Sequence, residues 1–82
     1  PPSPPRQRLD TRGLRCPLPV IRTEAALRTL PEGTLLEVIA DDPIARLDIP
    51  HFCQDAGHTV QELEIEGEKT VFLITPGNTG AV

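Results

Sequence analysis

The segment Gly13-Leu14-Arg15-Cys16-Pro17-Leu18-Pro19 sets one thiol directly before two closely spaced prolines. Proline has a fixed φ and no N–H, which suits the first turn of a helix. The spacing therefore predicts a helix opening at Pro17 with Cys16 as its N-cap. Unpaired amides at a helix N-terminus carry about half a positive charge. Pro17 and Pro19 lack an N–H, so in this first turn the Leu18 amide is the one expected to face the sulfur. Arg15 and Arg12 add positive charge close by. All of these would favour a thiolate over a thiol.

A magnitude narrows the use of such a site. A free thiol with a pKa of about 8.5 is only a few per cent ionised at neutral pH, and lowering the pKa to about 7 ionises roughly half of it. Intrinsic nucleophilicity falls with pKa, with a slope of about 0.4–0.5, so attack quickens only a few-fold. Faster attack is a weak reason for the arrangement. Holding an anionic sulfur species at the surface, on a loop already stiffened for a partner's sulfur, is a better one. The plain alternative is a structural cap in a Pro-initiated helix, a task that Ser, Thr, Asp or Asn performs better by about 1 kcal/mol.

Other reactive side chains carry less. Cys53 is spaced as a core residue beside Ile49 and Ala56, and free Cys is among the most buried residue types, so inert packing is expected. There is no C-x-x-C pair and no resolving thiol next to Cys16. The spacing His51-x-Cys53, with His58 further on, is not a standard zinc arrangement, and neither a metal nor another cofactor is expected. A Cys–His couple for acyl transfer finds no support, because no His lies near Cys16 in sequence.

Composition bounds the partners. The 82 residues allow one small domain, and 38% hydrophobic with 24% charged residues is sufficient for a core. With two Phe and no Tyr or Trp, stacking on bases or sugars is disfavoured. The net charge of −4 argues against non-specific nucleic-acid binding. It conceals an asymmetry: residues 1–28 hold six of the eight basic residues against Asp10 and Glu24, whereas residues 29–82 hold Arg46 and Lys69 against ten acids. A locally basic end would suit a small anion or an acidic protein patch. No apolar run reaches membrane-spanning length and no secretory leader opens the chain; with two Cys, this points to a reducing cytoplasm.

The elements that must position Cys16 follow from punctuation. Residues 1–6 are Pro-rich and read as an extended tail, residues 7–76 as a single domain, and residues 77–82 as a second tail. The chain opens without Met, which leaves open a processed protein or one domain of a longer one. A short strand over 7–11 is closed by Gly13. A helix over 17–30 carries Val20, Thr23, Leu27 and Leu30 on one arc, with Arg22 and Thr29 opposite. The apolar run within 34–41 reads as an interior strand. A second helical stretch follows Asp42-Pro43 and ends at Gly57; taking Asp48 as its N-cap puts Pro50 in a first turn, where it is tolerated. Residues 59–66 alternate, with Gln61, Leu63 and Ile65 on one face and Glu62, Glu64 and Glu66 on the other, and turn at Gly67 into a hairpin partner over 70–75. The order β-α-β-α-β-β predicts an α/β two-layer sandwich: two helices packed on one face of a four-stranded mixed sheet, with the acidic row on the uncovered side.

The chain resembles the TusA/SirA-like family of small sulfur carriers. The matching residues are Leu9-Asp10, Gly13 to Val20 with the Cys-Pro-x-Pro element, Gly33, Ala40-Asp41-Asp42-Pro43, Asp48-Ile49-Pro50, Phe52-Cys53, Gly57-His58 and Phe72-Leu73-Ile74. The resemblance implies the same β-α-β-α-β-β fold and a relay in which Cys16 accepts sulfur as a persulfide and passes it on. The donor would be a cysteine desulfurase or rhodanese, and the acceptor a protein of tRNA thiolation, molybdenum-cofactor synthesis or sulfur oxidation. Arg15, Pro17, Leu18 and Pro19 would support the sulfur, and Arg12 and Asp42 would contact partners; locally, Asp42 also reads as a turn or helix-cap residue before Pro43. Two positions depart from the family pattern: Glu24 stands where many members carry Lys or Arg, and Thr75-Pro76 follows Ile74 where the closing strand usually ends in a basic residue. Both bear on docking, and neither touches the cysteine. A monomer with no direct nucleic-acid contact is expected. The alternatives are a protein-interaction adaptor without covalent chemistry and, less favoured, a general thiol redox protein.

Overall fold

A computed structural model describes residues 4–77; of the expected tails, residues 1–3 and 78–82 lie outside the described residues. The elements are β1 (Arg6–Asp10), α1 (Leu18–Thr29), β2 (Leu35–Ala40), α2 (Pro43–Ala56), β3 (Thr59–Glu66) and β4 (Lys69–Thr75). They form one four-stranded sheet in the order β1-β2-β4-β3. β1 and β2 are parallel, while β4 runs antiparallel to both β2 and β3. This is the expected mixed sheet with two helices. The ladder starts slightly earlier than expected, since β1 begins at Arg6 and the Pro5 carbonyl accepts the Leu35 N–H at 2.9 Å.

The core lies between the helices and one face of the central strands. Leu36, Val38 and Ala40 of β2 stand level with Ile74, Phe72 and Thr70 of β4. The five apolar residues among them pack with Ala45, Ile49 and Cys53 of α2, all nearly or fully buried. α1 completes this layer through Val20, Ala26 and Leu27, with fully buried Thr23 on the same arc. Thr23 Oγ1 donates to the Pro19 carbonyl at 2.8 Å, which satisfies a polar atom that the apolar arc encloses.

Two expectations are corrected. α2 does not begin at Asp48; it runs unbroken from Pro43, with Asp42 as N-cap and Pro50 inside the helix. An interior proline removes the bond to the Arg46 carbonyl and costs about 3 kcal/mol. The buried stripe Ala45, Ile49 and Cys53 nevertheless continues across it at intervals of one turn, and burial of that stripe outweighs the local penalty. The second correction concerns the acidic row. Glu62 pairs with Phe72 and Glu64 with Val71, so Leu63 forms a bulge that shifts the alternation by one residue. Glu64 and Glu66 share the uncovered face, where Lys69 Nζ lies 3.4 and 3.6 Å from them. Glu62 faces the helical side instead, 3.9 Å from Arg46 Nε of α2. The bulge leaves Leu63 40% and Ile65 46% exposed.

Candidate functional site

Because β1 and β2 are parallel neighbours, the turns leaving their C-terminal ends lie together, the place where ligand chemistry collects in open α/β sheets. Thr11 carries the pairing one residue past β1. Its N–H and Oγ1 both donate to the Ile39 carbonyl, at 2.8 and 2.7 Å. The Leu14 N–H then bonds the Thr11 carbonyl at 3.1 Å, closing a turn in which Gly13 takes φ 86°. A side chain at that position would be strained.

The β2–α2 turn holds this loop with two carboxylates. Asp41 Oδ1 accepts the Gly13 N–H at 3.0 Å, and Asp42 Oδ2 accepts the Cys16 N–H at 2.9 Å. Asp42 is only 6% exposed and makes no side-chain cap to its own helix. Arg15 approaches its other oxygen at 3.9 Å from an exposed position. The acidic pair thus fixes the backbone on which the thiol rides.

Cys16 itself is exposed. It stands one residue before the N-cap of α1, which is Pro17, and not at the cap as expected. The Leu18 amide does not face the sulfur, because it donates to the Arg15 carbonyl at 2.8 Å. Pro17 is exposed, Leu18 is 42% exposed and Pro19 is buried beneath them. The basic residues are also engaged elsewhere. Arg12 is bound to Asp10 through Nε at 2.9 Å and Nη2 at 2.7 Å. These bonds hold the Asp10 carboxyl down at about 2.

The immediate partner of the sulfur is acidic. The Cys16 thiol donates to Asp48 Oδ2 at 3.4 Å. That hydrogen bond, followed by partial desolvation and the negative charges of Asp48 and Asp42, pushes the thiol pKa above its ordinary value. The expectation of a stabilised thiolate is therefore reversed: the resting side chain is a thiol held by a carboxylate. Below it, Pro17, Val20 of α1 and Asp48, His51, Phe52 and Asp55 of α2 line an open groove of about 400 Å³.

Sequence reasoning missed Asp48 as a site residue because it had assigned Asp48 to a helix cap. Its signal lay in the helical period: in a helix begun at Pro43, residue 48 falls about one and a half turns from the N-terminus. The remaining candidates are dispersed. Cys53 is fully buried, and burial pushes its thiol up to about 11. His51 is exposed, 3.3 Å from Asp55, and His58 Nδ1 accepts the Gly77 N–H at 2.9 Å. Among the described residues no group of three or more His, Cys, Asp or Glu side chains is placed to hold a metal ion, and no helix is long and apolar enough to cross a membrane.

Fold and site together define a small two-layer α/β domain that presents a single accessible thiol where two helices begin. The model of the family described as sulfurtransferase TusA matches residues 7–75, and the chain belongs to that family. The crystal structure of the SirA-like protein from Desulfitobacterium hafniense is similar, with a TM-score of 0.74 and 29% identity over 87% of this chain and 97% of that one. Membership of the family supports a sulfur-carrier role.

Proposed function

We propose that this chain carries sulfur as a persulfide on Cys16, loaded by a cysteine desulfurase or rhodanese and unloaded onto an acceptor protein. In loading, the Cys16 sulfur attacks the outer sulfur of the donor's persulfide. The S–S bond breaks with its electron pair going to the donor cysteine, and the Cys16 proton ends on that leaving thiolate. The sum is Cys16–SH plus donor–S–SH giving Cys16–S–SH plus donor–SH, with no external oxidant. Unloading repeats the exchange toward the acceptor.

The observation that carries this reading is the exposed thiol on a backbone fixed by Asp41 and Asp42, in a chain of the TusA family. Leu18 and Ile21 on α1 and Ile44 and Leu47 on α2, each 42–73% exposed, lie in the first two turns of the helices that begin beside Cys16. Such an apolar surround suits docking of a protein partner around the sulfur. The acceptor is a protein of tRNA thiolation, molybdenum-cofactor synthesis or sulfur oxidation, and affinity capture with the persulfidated chain identifies it.

Incubation with a cysteine desulfurase and cysteine, or with a rhodanese and thiosulfate, should add one sulfur atom by intact mass. Cys16→Ser should abolish the adduct and Cys53→Ser should keep it. Wild-type protein that stays unmodified while the donor turns over would refute the proposal. An adaptor without covalent chemistry would instead keep full partner affinity and cellular activity in Cys16→Ser.

A further inference from the structure

The groups facing Cys16 come from three places. From α2 come Asp48, in contact with the sulfur, and Asp42 at its N-cap, bonded to the Cys16 amide. From the loop itself comes Arg15, whose guanidinium leans toward Asp42 at 3.9 Å. On the α1 side the chain continues through Pro17, its N-cap, and Leu18 and Pro19 of its first turn, none of them charged. His51 and Asp55 stand further along the groove, paired with each other at 3.3 Å. The sulfur therefore meets a carboxylate directly, and the guanidinium of the adjacent Arg15 is turned to a second carboxylate.

Resting on the proposed function, we infer that Asp48 sets how firmly Cys16 holds its cargo: it stabilises the empty thiol and destabilises the loaded persulfide anion, which biases the sulfur toward release. The physical basis is a difference between two states. Empty, Cys16 is neutral and donates a hydrogen bond to Asp48. A persulfide is more acidic than its parent thiol, so the loaded side chain is largely anionic at neutral pH and sets a negative charge beside the Asp48 carboxylate. The hydrogen bond is lost and a like-charge repulsion replaces it. Two unit charges about 4 Å apart near a protein surface repel strongly enough to move such an equilibrium about tenfold, even after allowance for exposure to solvent. The raised thiol pKa points the same way, since it reports the same penalty on an anion at this sulfur.

The test compares wild type with Asp48→Asn, which keeps the side-chain shape and an acceptor oxygen but removes the charge. Each protein is equilibrated with glutathione persulfide and glutathione at several ratios, and the loaded fraction is read by intact mass. Asp48→Asn should load about tenfold more favourably. Asp48→Ala should shift the same way, and Asp55→Asn, on the same groove but paired with His51, should not. Equal or weaker loading of Asp48→Asn overturns the inference.

The pH profile of iodoacetamide alkylation at Cys16 examines the same charge effect without sulfur. Its midpoint should move to lower pH in Asp48→Asn, because the hydrogen bond to the carboxylate and its negative charge both hold the thiol protonated. An unshifted midpoint overturns the assignment of Asp48 even if the protein loads normally. A shifted midpoint in proteins that never take up sulfur overturns the carrier function and the loading claim, while Asp48 keeps its hold on the thiol.

Discussion

Replacing Asp42 with Ala should loosen the loop that carries Cys16 and lower the stability of the whole domain. The carboxylate is 6% exposed and its Oδ2 accepts the Cys16 amide at 2.9 Å, a hydrogen bond to a charged acceptor. Bonds of that kind contribute about 1.5–3 kcal/mol. Two effects pull the figure toward the lower half of that range. Cys16 is exposed, so water can reach its freed N–H, and removing a buried carboxylate relieves its own desolvation. We expect a loss of about 2 kcal/mol, which in a domain of this size lowers Tm by about 8–16 °C. Asp42→Asn retains an acceptor oxygen and should lose about half as much. Thermal and urea unfolding measure the loss, and an unchanged urea m-value shows that stability alone moved. Hydrogen exchange at the Cys16 amide supplies the local readout: protection should vanish in Asp42→Ala and persist in part in Asp42→Asn. A Tm drop under about 3 °C, or an amide equally protected in both variants, would refute the idea that this carboxylate holds the loop.

Two pH effects follow from groups outside the sulfur site. Asp10 is held near 2 by Arg12, so its contribution to stability is present above its unfolded value of 3.8 and is lost as pH falls through about 2. The pair is exposed and the effect on melting is small, so the check is an NMR titration: a midpoint near 2 in wild type that returns toward 3.8 in Arg12→Gln, and a wild-type midpoint near 3.8 would count against the pair. Cys53 has its pKa raised to about 11 by burial, so the stabilisation from keeping it neutral is present below its unfolded value of 9.0 and is lost as pH rises through about 11. Cys53→Ala should remove that alkaline loss while costing about 1 kcal/mol of stability at neutral pH, and an identical alkaline arm in both proteins would show that some other group produces it.

The layer order and the mixed sheet were legible because their signals are local and redundant. The run Leu35 to Ala40, apolar but for Glu37, marks an interior strand, and the arc of Val20, Thr23, Leu27 and Leu30 marks the buried side of α1. Cys53 was legible as core for the same reason, through its spacing from Ile49. Three features needed information that lies far away in the chain. Pro50 inside α2 contradicts local propensity and is carried by burial of Ala45, Ile49 and Cys53 against Phe72 and Ile74. The bulge at Leu63 depends on where β4 registers against β3, which no pattern within residues 59–66 encodes. The acidic surroundings of Cys16 depend on Asp42 and Asp48, which are distant in sequence and arrive through the pairing of β1 with β2 and the start of α2 at Pro43. Reading only the flanking residues, Arg12 and Arg15 set the expected sign of the field at the sulfur. In the fold both arginines turn to carboxylates, and the sign is set by Asp48.

The division between the two cysteines bears on whether a carrier could keep its cargo at all. A persulfide on Cys16 has two electrophilic sulfurs. Attack on the outer one transfers the sulfur onward, whereas attack on the inner one expels it as hydrosulfide and leaves a disulfide. An accessible second thiol in the same chain would take the second route at high effective concentration and discharge the carrier without any acceptor. Cys53 is removed from that reaction twice over: it is fully buried in the layer formed with Ile49 and Phe72, and burial holds it protonated up to about 11. The same burial that supplies core volume thus protects the proposed persulfide. Wasteful loss through Cys53 is blocked by packing, while useful release from Cys16 is favoured by the charge of Asp48. The two act on different sulfur atoms and are set by different elements of the fold, so each can be altered by mutation without the other.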